Sequence, residues 1–295
     1  MKPKISVGMP VYNGEPYLEQ AIQATLNQTY DDFELIISDN HSSDRTEEIC
    51  RDFAAKDSRL HYIRNSKNIG AANNYNQLFH KSTGEYFRWF NADDLCSNVL
   101  HERCLKALEE NPHAIMSYGK TNIIDENGNI IKRYEDNLHL LQDCASERFL
   151  YYVKKPGLSN AIYGLMRRSV LNKTKLMGSG SYPAADISLI AELSLYGKIV
   201  EVPETLFLRR MHAEASSWDR GDVATQQQFW TGNTSNFVMP TLKKEYAFIR
   251  AISSSPIGVW EKLVLNKFIF RRILWWRKQI FREFLVFLKR GIAIN

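Results

Sequence analysis

Five strand-like segments, 4–11, 33–38, 60–64, 85–90 and 114–118, alternate with four helical ones over the first 120 residues. Leu18, Ala21, Ile22 and Leu26 recur at helical spacing after Pro16, a residue suited to a first helical turn. Asp44, with Glu47 three residues on, predicts an N-capped helix carrying Ile49, Cys50 and Phe53. Residues 71–81 and 100–110 also read as helices, the second stopped by Asn111-Pro112. Strand–helix units at this spacing predict a mostly parallel sheet with helices on both faces. Ligands of such sheets bind beyond the carboxyl ends of the strands. That directs attention to the polar segments 13–15, 39–44, 65–73 and 91–94.

After Gly119 the pattern loosens. Asp125-Glu126-Asn127-Gly128 predicts a hairpin tip. Segments 161–167 and 205–210 predict strands, and 186–196 a helix ended by Gly197. Residues 213–260 show no clear organisation, and 261–290 are helical by period.

The 295 residues suit one large domain, or a domain with an extension. With 44% hydrophobic and 24% charged residues, the composition is that of a globular chain, which excludes disorder. No apolar run reaches about 18 residues, so no membrane span is predicted. The N-terminus runs straight into a strand without a signal-like segment, and a cytosolic chain is expected. Cys50, Cys96, Cys104 and Cys144 form no CxxC pair and read as free thiols. Asn27-Gln28-Thr29 and Asn233-Thr234-Ser235 match a glycosylation acceptor pattern, which carries no weight in a chain expected in the cytosol. The net charge of +5 is uneven: residues 261–295 hold nine Lys or Arg and two acids, so the body is mildly acidic. Nucleic acid is therefore not the expected ligand. Neither GxGxxG nor GxxxxGK[ST] occurs, which argues against a dehydrogenase and a P-loop NTPase.

Four motifs stand in order across residues 4–212. The first is the run Met9-Pro10-Val11-Tyr12-Asn13-Gly14-Glu15-Pro16-Tyr17-Leu18. The second is Asn27-Gln28-Thr29-Tyr30 followed by 33–44, with Asp39 at a strand end. The third is Arg64-Asn65 with Asn68-Ile69-Gly70 and Asn73. The fourth is Asn91-Ala92-Asp93-Asp94. Together they resemble the inverting, metal-dependent glycosyltransferases of family 2, with the GT-A fold. The resemblance implies a mostly parallel α/β sheet in a catalytic domain over 1–212, with a donor half to about 120 and an acceptor half over 121–212. A helical extension over 213–295 follows.

The same resemblance implies the roles. Pro10, Val11, Tyr12, Glu15, Asp39, Asn68, Gly70, Asn73 and Asp93 would bind the nucleotide of a nucleotide diphosphate sugar, a UDP-sugar by preference. An ionised carboxylate only accepts hydrogen bonds, which suits Asp39 to a uracil N–H; an Asx turn is its alternative use, and Asp44, as a cap, leaves Asp39 free. Asp93 and Asp94 would hold Mn²⁺ or Mg²⁺ and the ribose, with His212 as a further metal ligand. As a pair, the two aspartates also suit the N-terminus of the next helix. The family's first carboxylate is replaced by Asn91, which adds no charge but suits a ribose hydroxyl. Asp186 is the candidate general base for a saccharide or lipid-linked saccharide hydroxyl, although an Asp in a first helical turn also suits the helix dipole. Arg209 or Arg210 would meet phosphate. Ser216 and Ser217 would share that segment, and Trp218 would stack on a sugar.

Apolar and basic residues interleave over 267–290, a pattern that fits a helix lying on an anionic membrane or packed on a subunit of a homo-oligomer. A peripheral enzyme on the inner membrane face, serving surface-polysaccharide assembly, is the corresponding expectation. A catalytically silent relative acting as a binding or membrane-docked assembly protein is the alternative.

Overall fold

The computed structural model describes residues 2–178, 182–212, 223–232 and 239–292. The first elements are β1 (Ile5–Val11), α1 (Leu18–Leu26), β2 (Phe33–Asp39), α2 (Thr46–Lys56), β3 (Leu60–Arg64), α3 (Ala71–Lys81), β4 (Tyr86–Trp89), β5 (Leu95–Cys96) and α4 (Leu100–Glu110). The chain continues through β6 (Ala114–Ile124), β7 (Ile130–Tyr134), α5 (Ala145–Lys154), β8 (Leu165–Arg167), α6 (Arg168–Leu171), α7 (Ala185–Ser194) and β9 (Lys198–Arg210). It ends in α8 (Val223–Thr231), α9 (Pro240–Ser254), α10 (Val259–Trp275) and α11 (Arg277–Ile292).

Among the described residues, nine strands form one sheet in the order β3-β2-β1-β4-β8-β6-β9-β5, with β7 paired to β6. β1 to β4 are mutually parallel, and β9 runs parallel to β6. The short β8 is antiparallel to β4 and β6 and joins the two parallel blocks. β1 alternates large Ile5, Val7, Met9 and Val11 with small Ser6, Gly8 and Pro10. The large set packs into one core, while the small side lets α3 approach: a Cβ on Gly8 would lie 2.9 Å from the Leu78 Cβ. Helices α1, α2 and α4 cover the first face. Helices α3, α5, α7, α9 and α10 share the core of the other, where Phe149 and Tyr152 join Phe248, Leu265 and Ile269.

Several expectations need correction. Segment 161–167 is not one strand. Ser159 adopts φ 57°, Asn160–Tyr163 form a 3₁₀ turn, and only Leu165–Arg167 is extended. The helix expected over 261–290 is two helices, α10 and α11, broken at Trp276. Residues 240–254, which showed no pattern by eye, form α9, with a proline in its first turn. Asp44 does accept from the Thr46 N–H, but Glu47 pairs with Arg51 and Arg64 instead of closing a capping box.

Candidate active site

The parallel registers line up Val11 with Asp39 and Asp39 with Arg64, so the ends of β1, β2 and β3 present one row. Asp39 is fully buried and already engaged. One oxygen accepts from the Ser42 N–H at 2.8 Å, and the other from the Tyr62 hydroxyl at 2.7 Å, with the Arg64 guanidinium at 3.3 Å. The expectation that Asp44 leaves Asp39 free is therefore corrected: Asp39 accepts from its own loop, three residues on. Asp44 instead joins the loops by accepting from the Glu15 N–H. Glu15 in turn accepts from the Arg45 N–H. Tyr12 is exposed at the rim, and Pro10 is half-buried.

Behind this row lies an amide network. Asn68 accepts from Asn40 and from the Gly70 N–H; Asn74, buried, exchanges hydrogen bonds with Ser38 and accepts from Asn65. The interior asparagine of α3 is thus Asn74. Asn73 is exposed and only donates to the Ile69 carbonyl. Gly70 is closely approached, but by the chain itself: a Cβ there would lie 2.4 Å from the Thr231 carbonyl carbon, at the end of α8.

The acidic motif sits between β4 and β5. Antiparallel pairing of Leu95 with Leu208 brings the end of β9 beside it. Asp93 and Asp94 then diverge. Asp94 is buried and accepts from the Arg210 N–H at 2.8 Å and from the Asn91 amide at 3.1 Å. Burial, and then the charge of Asp93, pushes its carboxyl well above the usual carboxylate range. Asp93 is one-third exposed, and its carboxylate faces His212 Nε2 at 3.1 Å. Asn91 donates to Tyr163 and Asp94 and accepts from Tyr75, which leaves its amide no hydrogen for a ribose.

Arg210 is likewise committed. It donates to the carbonyls of Asp93, Asp125 and Glu126 and to Gln20, and its guanidinium lies 4.6 Å from the Tyr17 ring centroid. The His212 ring meets the same tyrosine at 4.8 Å. Tyr17, which stands in the first motif with no role assigned to it, thus orients both the loop and the histidine. Arg209 keeps a freer guanidinium, donating to the Leu158 carbonyl and to Asn160.

Asp186 occupies the first turn of α7, behind Ala184 at φ 75°, a left-handed conformation that L-residues with a side chain seldom adopt. Its carboxylate accepts from the Ile187 N–H, and burial raises its pKa, opposed by the nearby Arg209 charge. Arg209 and Tyr163 each interact electrostatically with both Asp94 and Asp186. The acidic motif and the base candidate therefore share two neighbours, Arg209 and Tyr163. Asp136, absent from any motif, is buried nearby: one oxygen accepts from the Asn160 N–H, the other has no partner among the described residues, and burial raises its pKa to about 6. Ser216, Ser217 and Trp218, and the Asn233-Thr234-Ser235 match, lie outside the described residues.

Strand ends that carry aspartates, beside a histidine and below a helix-borne carboxylate, define a GT-A type glycosyltransferase. Residues 6–175 match the model of glycosyl transferase family 2, and the chain belongs to that family. An uncharacterized glycosyltransferase of Haemophilus influenzae is 31% identical over 73% of this chain and 68% of its own length. A GalNAc(5)-diNAcBac-PP-undecaprenol beta-1,3-glucosyltransferase of Campylobacter jejuni is 28% identical over 66% of this chain and 62% of its own length. The crystal structure of S. aureus TarS 1–349 in complex with UDP-GlcNAc superposes with a TM-score of 0.70, at 16% identity, covering 98% of this chain and 81% of that one.

Proposed function

We propose that the protein moves a sugar from a UDP-sugar to a hydroxyl of a saccharide or lipid-linked saccharide, with inversion and the help of Mn²⁺ or Mg²⁺. The observation that carries this reading is the Asp93–His212 pair at 3.1 Å, in the acidic motif whose neighbours Arg209 and Tyr163 also face Asp186. Among the described residues no three His, Cys, Asp or Glu cluster as a metal cage. A pair of ligands is nevertheless what such a site needs, because Mg²⁺-type ions in phosphate chemistry take one or two protein carboxylates and complete their shell with phosphate oxygens and water. Asp93 supplies such a carboxylate and His212 an imidazole donor beside it. Asp94, buried and accepting one hydrogen bond on each oxygen, would support the site from within the fold. The ion would offset the charge that develops on the departing diphosphate.

The remaining chemistry belongs to the chain. Val11 and Tyr12 flank the base, and Asp39 accepts its N–H once the Arg64 guanidinium or Tyr62 hydroxyl gives way. Asp186 takes the proton of the acceptor hydroxyl as that oxygen forms its bond to the anomeric carbon. The bond from that carbon to the diphosphate oxygen breaks, and the nucleoside diphosphate leaves from the opposite face. Arg209, between the two acidic groups, is placed to stabilise negative charge in the cleft. The Campylobacter relative, named for a glucosyl transfer involving an undecaprenol diphosphate, and TarS with bound UDP-GlcNAc support this choice of acceptor and donor.

Calorimetric titration with UDP, GDP and CDP, with and without Mn²⁺, tests the donor assignment. The expected result is selective, metal-dependent UDP binding that Asp93→Ala removes. Equal affinity for the three nucleotides, or full affinity in the variant, would overturn it.

A further inference from the structure

Helix α10 is apolar on two opposite faces. Leu265 and Ile269 point inward and are fully buried in the core shared with α5 and α9. Trp260, Leu263, Val264, Phe270, Leu274 and Trp275 point outward, and the two tryptophans are each 81% exposed. At 3.6 residues per turn these six fall within an arc of about 140°. A helix that is hydrophobic all round is ordinarily covered on all sides, and an exposed apolar surface of this kind marks an interaction site. Helix α11 extends the surface. An apolar groove of about 320 Å³, lined by Ile273, Leu274, Ile280 and Phe284 among others, opens between the two helices.

The charge on this surface has one sign. Residues 259–288 contain seven Lys or Arg and two acids. Both acids are engaged by neighbouring elements: Glu261 accepts from the Ser146 N–H, and the buried Glu283 accepts from Thr241 at the start of α9. Of the cations, Arg272 pairs with Glu245, and the other six have no ion pair among the described residues. Lys267 and Arg271 lie within the apolar arc itself, where their long stems allow the charged ends to reach past an apolar layer.

We propose that the outer face of α10, continued by α11, docks on an anionic lipid bilayer. A bilayer with acidic headgroups complements both features at once: acyl chains for the tryptophans and leucines, and phosphate for the lysines and arginines. A second copy of the chain does not, because a two-fold contact sets the same cations against each other. Among the described residues no helix is long and apolar enough to cross a membrane, so the contact lies in the interface plane. Paired tryptophans at the two ends of the exposed stripe suit the headgroup boundary.

Flotation of the full chain with phosphatidylglycerol–phosphatidylcholine vesicles, against phosphatidylcholine alone, reads the contact directly. The expected result is binding to the acidic vesicles that is weaker by about tenfold or more on neutral ones. The Trp260→Ser/Trp275→Ser pair and the Lys267→Glu/Arg271→Glu pair should each lose binding to a similar degree. All four side chains are exposed, so unchanged circular dichroism and an unchanged urea midpoint report that the fold is intact. Absence of flotation on acidic vesicles, or undiminished flotation of both variants, would overturn the proposal. A dimer seen by light scattering and dissolved by the tryptophan pair would instead assign the face to a second copy. The docking surface does not rest on the donor reading, and the two measurements fail separately.

Discussion

The Asp93 carboxylate meets His212 Nε2 at 3.1 Å although 119 residues separate them in the chain. Pairing of Leu95 with Leu208 sets that meeting, and the Tyr17 ring holds the histidine from behind. Replacing His212 by Ala should leave the sheet intact, since the imidazole is a lining group rather than core. Metal-dependent nucleotide binding should weaken by about tenfold or more, the size of loss seen when even a supporting group of a metal site is removed. Titration of Mn²⁺ at fixed UDP checks this; an unchanged metal requirement would remove His212 from the site.

Asp186 should behave as a base whose removal spares binding. Asp186→Asn keeps the side-chain acceptor for the Ile187 N–H but cannot take a proton. The expected loss in kcat is about 10²- to 10⁴-fold, with donor affinity retained. Burial raises this carboxyl above the ordinary Asp range. The base works when deprotonated, so the acid limb of kcat/KM should fall at a pH above that of an ordinary aspartate. A variant with wild-type turnover, or a profile flat through the acid range, would end the assignment.

Asn91 opens the acidic motif with an uncharged side chain. Its amide donates to Asp94, whose carboxyl is already pushed upward by burial and by Asp93. Asn91→Asp replaces that donor with a third carboxylate, which sets two acidic groups against each other where Asn91 and Asp94 now share a hydrogen bond. Loss of stability by about 1–3 kcal/mol is expected, without a gain in metal affinity. Urea denaturation and Mn²⁺ titration of the variant test both halves of the statement.

The donor half was legible because its information is local. Periodicity and breakers place α3 and α4 at 71–81 and 100–110, the bounds observed, and the polar strand ends announce the cleft. What the sequence did not disclose depends on contacts across long separations. Arg210 reads as a phosphate ligand until its guanidinium is seen to reach Gln20, 190 residues away. Gly70 reads as a point of close backbone approach, and the distant end of α8, at Thr231, is found against it. The apolar run 161–167 reads as a strand, yet Gly164 sits where a Cβ would be 2.4 Å from the Ser117 carbonyl, and the turn before it is dictated by that fit. Asp136 carries no motif, and Tyr17, though inside the first motif, shows its role only through contacts with the distant Arg210 and His212.

Asp136 supplies a prediction about stability. Its pKa of about 6 lies above that of an aspartate in the unfolded chain, so the folded state binds the proton more tightly. The sign follows from linkage. Below about pH 4 both states are protonated and the group costs nothing; between about pH 4 and 6 the unfolded chain ionises first and stability falls; above that range the loss is complete. The full effect is about 2–3 kcal/mol for a shift of this size. Asp136→Asn preserves the acceptor for the Asn160 N–H and removes the ionisation. The variant should therefore gain on the wild type as pH rises from 4.5 to 7.5, the difference growing mainly near pH 5. Other raised carboxyls, Asp186 and Glu192 among them, titrate in both proteins and cancel in the comparison. Paired urea denaturation curves across that range provide the measurement, and a difference independent of pH would show that Asp136 is not held protonated by the fold.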